Sequence, residues 1–128
     1  MTQDNSYTAK QYYDVEVGSS SSSTKDSMKI GLMYISDYGF AASNNYWTTA
    51  LYKYSSATDS NWLYLGESEW TISRSSSKSS YTFLVLSDGN VISHRVTNSF
   101  AVRPVFYLTY STTYVSGSGT SSDPIRIN

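Results

Sequence analysis

The most regular alternation in this chain runs through residues 100–108, Phe-Ala-Val-Arg-Pro-Val-Phe-Tyr-Leu. Phe100, Val102, Pro104, Phe106 and Leu108 share one parity, and Ala101, Arg103, Val105 and Tyr107 the other. Both sets are largely apolar, which predicts a strand buried on both sides. Arg103 breaks the pattern. A buried cation needs a partner, so Arg103 is expected to be structural and to pair with Glu67 or Glu69, or with backbone carbonyls. Pro104 cannot donate to a ladder and marks a bulge or a strand start. A shorter run of the same kind, Glu-Trp-Thr-Ile-Ser at 69–73, is read as the opening anchor of the same sheet.

Between the anchors, 81–86 (Tyr-Thr-Phe-Leu-Val-Leu) and 91–96 (Val-Ile-Ser-His-Arg-Val) read as two strands. Ser-Asp-Gly-Asn at 87–90 joins them, and an Asp-Gly pair between alternating runs is a strong hairpin signal. Residues 70–108 therefore read as a four-stranded antiparallel meander, with a polar loop at 74–80. Upstream, Val15 and Val17 alternate with Asp14 and Glu16, which predicts a short strand, and 8–13 reads as a single helical turn. The Ser run at 18–26 is expected to be a mobile loop. Residues 29–35 read as an apolar strand and 36–39 as a turn. Spacings of three and four among Trp47, Ala50, Leu51 and Tyr54 predict a short amphipathic helix over 45–54. A polar loop follows at 55–61, and 62–65 reads as a strand or the packed end of that loop. In the tail, 116–124 reads as a loop, and Pro124-Ile125 with Ile127 as a last short edge strand. Trp47, Trp62, Trp70, Phe83 and Phe106 are expected in the core. The class is α+β, mainly antiparallel sheet with one or two short helices and long polar loops.

At 128 residues the chain is expected to be one domain, in which 1–27 form a polar N-terminal segment and the Ser-rich loop. The net charge of −1 supplies no basic field for nucleic acid. Without cysteine there is no disulfide, thiolate or Cys-based zinc chemistry. No apolar run nears the roughly 18 residues of a membrane span, and Met-Thr-Gln-Asp opens no signal peptide. This leaves a cytosolic protein or a domain excised from a longer surface protein, and the secreted-type composition and a start in mid-pattern favour the excised domain. Thirteen tyrosines among abundant Ser and Asn match the chemistry of binding loops, where rigid amphipathic rings sit beside adaptable polar groups. Strand preference for Thr and Tyr produces a similar bias.

Catalytic chemistry is sparse. His94 is the only histidine and lies in a strand, where it is ordinarily a surface residue. Asp88-Gly89 fits a turn without calcium. Gly117-Ser-Gly119 lacks the following helix and Lys of a phosphate loop. Glu67 and Glu69 read as edge charges or arginine partners. The chain is therefore expected to be no enzyme and to need no cofactor or metal. Arg74, Lys78, His94 and Arg95, with Tyr81 and Asn98, form a candidate basic and polar patch at the loop ends of the meander. The expected ligand contacts are Asn45, Tyr46, Tyr52, Arg74, Ser76, Lys78, Tyr81, His94, Arg95 and Asn98.

The motifs at 70–73 (Trp-Thr-Ile-Ser), 87–91 (Ser-Asp-Gly-Asn-Val), 101–108 and 115–124 (Val-Ser-Gly-Ser-Gly-Thr-Ser-Ser-Asp-Pro) resemble a family of Firmicutes surface domains that often follow a type IV pilin-like helix. Residues 30–39 match an upstream segment of that family, and the resemblance covers about 28–128. The arrangement also resembles the C-type-lectin-like fold of formylglycine-generating-type domains and of the variable proteins of diversity-generating retroelements. In those variable proteins, adenine mutagenesis turns Asn codons into Asn, Ser, Tyr, Asp or His. The Ser, Tyr and Asn richness of 44–61, 74–82 and 93–99 fits that bias. The resemblance implies an extracellular, cell-surface adhesion or receptor domain. Its face would be diversifiable, its ligand a protein or glycan on another cell, phage or host surface, and other pilus or surface subunits its neighbours. A structural pilin or surface-layer subunit is the alternative. Two departures stand out: relatives often carry Cys near 44–62, and no pilin-like helix is present in this sequence.

Overall fold

The computed structural model describes residues 6–18, 30–75 and 78–128. The Ser run expected as a loop lies outside them from residue 19 to residue 29. The fold is mixed helix and antiparallel sheet. Two α-helices, α1 (Ala9–Gly18) and α2 (Ile35–Phe40), are followed by two 3₁₀ helices, Asn44–Tyr46 and Leu51–Ser60. A three-stranded sheet of β1 (Glu69–Arg74), β2 (Tyr81–Val85) and β3 (Val91–Arg95) comes next, and a separate ribbon of β4 (Tyr114–Ser116) and β5 (Arg126–Ile127) closes the chain. No described helix is long and apolar enough to cross a membrane.

The expected strand at 13–17 is helical, and its start is written in the residues before it. The Gln11 amide donates to Thr8 Oγ1 and the Thr8 amide to Gln11 Oε1, at 3.4 and 2.9 Å, a reciprocal Thr-x-x-Gln cap. Ala9 and Tyr12 then fall on one buried face, whereas Val17 is exposed. Two alternating valines are too few to outweigh that cap. The strand and turn expected at 29–35 and 36–39 are also corrected. Gly31 makes one bridge to Val105, and the chain turns into α2 at Ile35. The first turn of α2 receives a carboxylate from the other helix. Glu16 Oε1 accepts from the Ile35 amide at 3.2 Å and Oε2 from the Ser36 amide at 3.3 Å, and the Ser73 hydroxyl also donates to Oε1. The negative group meets the orphan donors and the positive end of the helix.

The helix expected over 45–54 is replaced by the two 3₁₀ segments, and the second absorbs most of the polar loop expected at 55–61. Residues 62–63 form a turn, and 64–65 are irregular rather than a strand. The hairpin is as expected: β2 and β3 pair from Tyr81↔Arg95 to Val85↔Val91, and Gly89 adopts φ +86° in the turn. β1 pairs with β2 through an irregular register between Trp70 and Arg74.

The fourth strand does not form. Through its backbone, the segment 100–108 is held at two points among the described residues. Ala101 bridges the start of β1, with the Trp70 amide donating to the Ala101 carbonyl at 3.0 Å. Val105 exchanges two hydrogen bonds with Gly31, at 2.9 and 2.8 Å. Pro104 cannot donate between these points, and Val102, Phe106 and Leu108 point into solvent. Phe106 and Trp62, expected in the core, are 64 % and 77 % exposed, and Trp47 is exposed as well. Phe83 is fully buried, and Trp70 is half-buried with its ring near perpendicular to Phe100.

The core instead uses tyrosines. Tyr12, Tyr38 and Tyr54 join Met33, Ile35, Leu51, Phe83, Val85 and Val91 beneath the helices. Buried phenols need acceptors. Tyr38 donates to the Gly89 carbonyl at 2.9 Å and Tyr54 to the Gly39 carbonyl at 2.6 Å. Burial pushes both phenols up, Tyr54 to about 12, so they stay neutral donors.

Candidate functional site

The ten expected contacts do not form one surface. Ser76 lies outside the described residues. Arg74, Lys78, Tyr81, His94, Arg95 and Asn98 gather at the open end of the sheet. Tyr81 faces Arg95, and Thr82 lies between Arg74 and His94 in register. The Lys78 ammonium sits 4.7 Å from the Tyr81 ring centroid, and the Asn98 amide donates to the Arg95 carbonyl. Successive strand residues point to opposite faces, so His94 and Arg95 diverge. His94 packs against Phe100 with the rings near perpendicular, 5.7 Å between centroids.

Asn45, Tyr46 and Tyr52 lie on the 3₁₀ helices. The second of these meets the sheet at its hairpin end, where the Ser55 amide donates to Asn90 Oδ1 at 3.0 Å. The hairpin end and the open end of the sheet are a strand length apart, about 13 Å for five residues. Tyr46 is half-buried against Tyr54, while Asn45 and Tyr52 are exposed.

An apolar concavity lies elsewhere. A cleft of about 520 Å³ opens between α2, the turn at 62–63 and the segment 105–107, within the usual range for ligand pockets. Met33, Phe40, Ala41, Trp62, Leu63, Val105, Phe106 and Tyr107 line it, and Asp37 is its one charged lining residue. Each wall has a physical anchor. Buried Asn61 ties the 61–63 turn to α2: its Nδ2 donates to the Tyr38 carbonyl at 2.9 Å, and its Oδ1 accepts from the Leu63 amide at 3.0 Å. Arg103 stands behind the floor. Its Nη2 donates to the Leu63 carbonyl at 2.7 Å and to Glu69 Oε1 at 2.6 Å, and lies 3.5 Å from Met33 Sδ. Arg103 thus joins the 63 turn, β1 and the segment before α2. The expected pairing with Glu69 is present, and Glu69 is 1 % exposed. Burial raises the Glu69 carboxyl despite the opposing pull of Arg103.

At the rim, the Tyr107 hydroxyl donates to Asp37 Oδ2 at 2.8 Å, and the Tyr34 amide donates to the same oxygen at 3.0 Å. Burial and the Asp37 carboxylate raise the Tyr107 phenol above its ordinary value. Among the described residues no cluster of three metal-ligating side chains forms. Sequence reading passed over the cleft because it assigned Trp62 and Phe106 to the core. Apolar identity marks a residue that prefers burial, and only the three-dimensional arrangement tells which such residues stay uncovered.

Compared with protein-family profiles, with curated proteins and with solved structures, the chain matches none.

Proposed function

We propose that this chain is a non-catalytic, ligand-binding domain of C-type-lectin-like architecture. It is displayed outside the cell as the head of a pilin-like or other surface protein, and contacts its ligand chiefly through the aromatic cleft. The observation that carries the reading is the set of large rings left uncovered around one concave site, Trp62, Phe106 and Tyr107. Exposed aromatic groups around a pocket are what a binding surface uses, and an uncovered cluster of this kind costs solubility in a chain without a partner. The Ser-, Tyr- and Asn-rich surfaces at 44–61 and 93–99 are proposed as a secondary, diversifiable rim. A glycan and protein array probed with the wild-type chain and with a Trp62→Ala/Phe106→Ala variant tests the reading. Capture is expected for the wild type, lost in the double variant and kept in Arg95→Ala. Capture that survives the double variant and is lost with Arg95→Ala places binding at the sheet end instead.

A structural-subunit reading has its own support. Every hydrogen bond described for 109–128 closes within that stretch, including the paired Thr113 and Asn128 amides and carbonyls. Tyr110, Tyr114, Val115, Ile125 and Ile127 on this ribbon are exposed. A lone two-stranded ribbon is marginal in water, so a neighbouring subunit is its natural cover. Light scattering decides: the subunit reading requires concentration-dependent assembly that disappears when 109–128 are removed.

A further inference from the structure

Among the described residues the cleft combines two features that seldom meet by chance: several ring faces free of other rings, and a carboxylate with no cation. We infer that it binds an alkylated ammonium group, the head of a small organic cation such as choline. This inference rests on reading the cleft as the binding site.

Three rings contribute first. Among the described residues Trp62, Phe106 and Tyr107 stack on no other ring; the ring contacts lie among other side chains. Their faces are open to a ligand, and Phe40 adds a fourth ring to the lining. An alkylated ammonium binds aromatic faces through the ring quadrupole and keeps few solvating water contacts to lose.

Charge comes second. Asp37 Oδ2 is committed to Tyr107 and Tyr34, and no described ion pair involves Asp37. Glu16 sits just behind, at the first turn of α2, and takes amide and hydroxyl donors but no described cation. Burial raises the Glu16 carboxyl, and the Asp37 charge adds to that rise, so the two carboxylates feel each other. Arg103, the cation behind the floor, is paired with Glu69. The cleft therefore presents apolar, electron-rich walls with a local surplus of negative charge. An anionic ligand would face that surplus unpaired, and a neutral apolar ligand would leave it unused.

The test compares choline with its neutral isostere, 3,3-dimethylbutan-1-ol, by NMR titration of the full chain. The readout is the Trp62 indole signal, assigned with Trp62→Phe. Choline is expected to move it saturably and to bind about tenfold more tightly than the neutral isostere. Asp37→Asn, which keeps the acceptor for Tyr107, should bring the two affinities together while leaving the far-UV spectrum unchanged. Trp62→Ala, at an exposed position outside the core, should abolish the choline-induced shifts of the Phe106 and Tyr107 amides, which the wild type shows, without affecting the fold. Equal binding of both probes overturns the inference and leaves the cleft standing as a site. Saturable choline binding that leaves Trp62 unmoved overturns it as well. If neither probe binds, the inference falls, and the array experiment with the Trp62→Ala/Phe106→Ala variant decides separately whether the cleft is a site at all.

Discussion

Arg103 and Glu69 show how one ion pair can hold a surface together. Glu69 is almost wholly enclosed, so removal of its partner leaves a buried, unpaired carboxylate, a loss of roughly 3 kcal/mol. Arg103 keeps about a quarter of its side chain in water and can rehydrate if Glu69 is lost. Arg103→Ala is therefore expected to lower the urea midpoint more than Glu69→Ala, with both variants loosening the cleft floor at Leu63. Glu16 carries the pH dependence. Burial raises its carboxyl from the ordinary 4.5, and burial likewise raises that of Glu69. In the unfolded chain both lose their protons at lower pH than in the folded one. Their contribution to stability is thus present below the ordinary carboxyl value and lost as pH rises through the raised folded values. Between about pH 4 and pH 7 the denaturation midpoint should fall less steeply for Glu16→Ala than for the wild type. A steeper fall in the variant would contradict this assignment. The sequence made the Arg103 partner legible, because an arginine amid apolar residues has few ways to be satisfied. It hid the role of Glu16, whose partners Ile35, Ser36 and Ser73 are about twenty or more residues away.

At the scale of elements, local chemistry was legible where it was complete in a few residues. The Asp-Gly hairpin came out as read, since the φ +86° of Gly89 is what the turn demands. The Thr8–Gln11 cap was equally local and was overlooked beside two alternating valines. The segment 100–108 failed as a strand because its apolar parity reports side-chain character, whereas a ladder also needs donors, and Pro104 interrupts them. Two glycines test the packing between elements. A Cβ at Gly89 would sit 2.4 Å from Thr58 Cγ2 in a backbone conformation that disfavours side chains, so Gly89→Ala should cost about 3 kcal/mol. A Cβ at Gly39 would meet Ala9 Cβ at 2.6 Å, where α1 crosses α2, and Gly39→Ala should cost about 2 kcal/mol. Thermal denaturation checks both, and a neutral result at Gly39 would mean that α1 can move away freely.

Across the whole molecule, a tyrosine-rich core under the three-stranded sheet carries two less protected parts, the aromatic cleft and the C-terminal ribbon. The ribbon's hydrogen bonds are exposed and few, so its amides at 114–116 and 126–127 should exchange with solvent well before those at 83–85 in β2. Similar exchange rates would show that the ribbon is docked on the body. The α+β class was readable from the periodicity, but the cleft was not, because it is built from three segments that meet only in the fold. The measurement that bears most directly on the proposed function is an amide and indole NMR shift map recorded while a library of aromatic, sugar and cationic fragments is titrated into the intact chain. Binding through the cleft predicts saturable shifts concentrated at Phe40, Trp62, Val105, Phe106 and Tyr107. Shifts concentrated at Arg74, Tyr81 and Arg95, or no saturable hit, would contradict it.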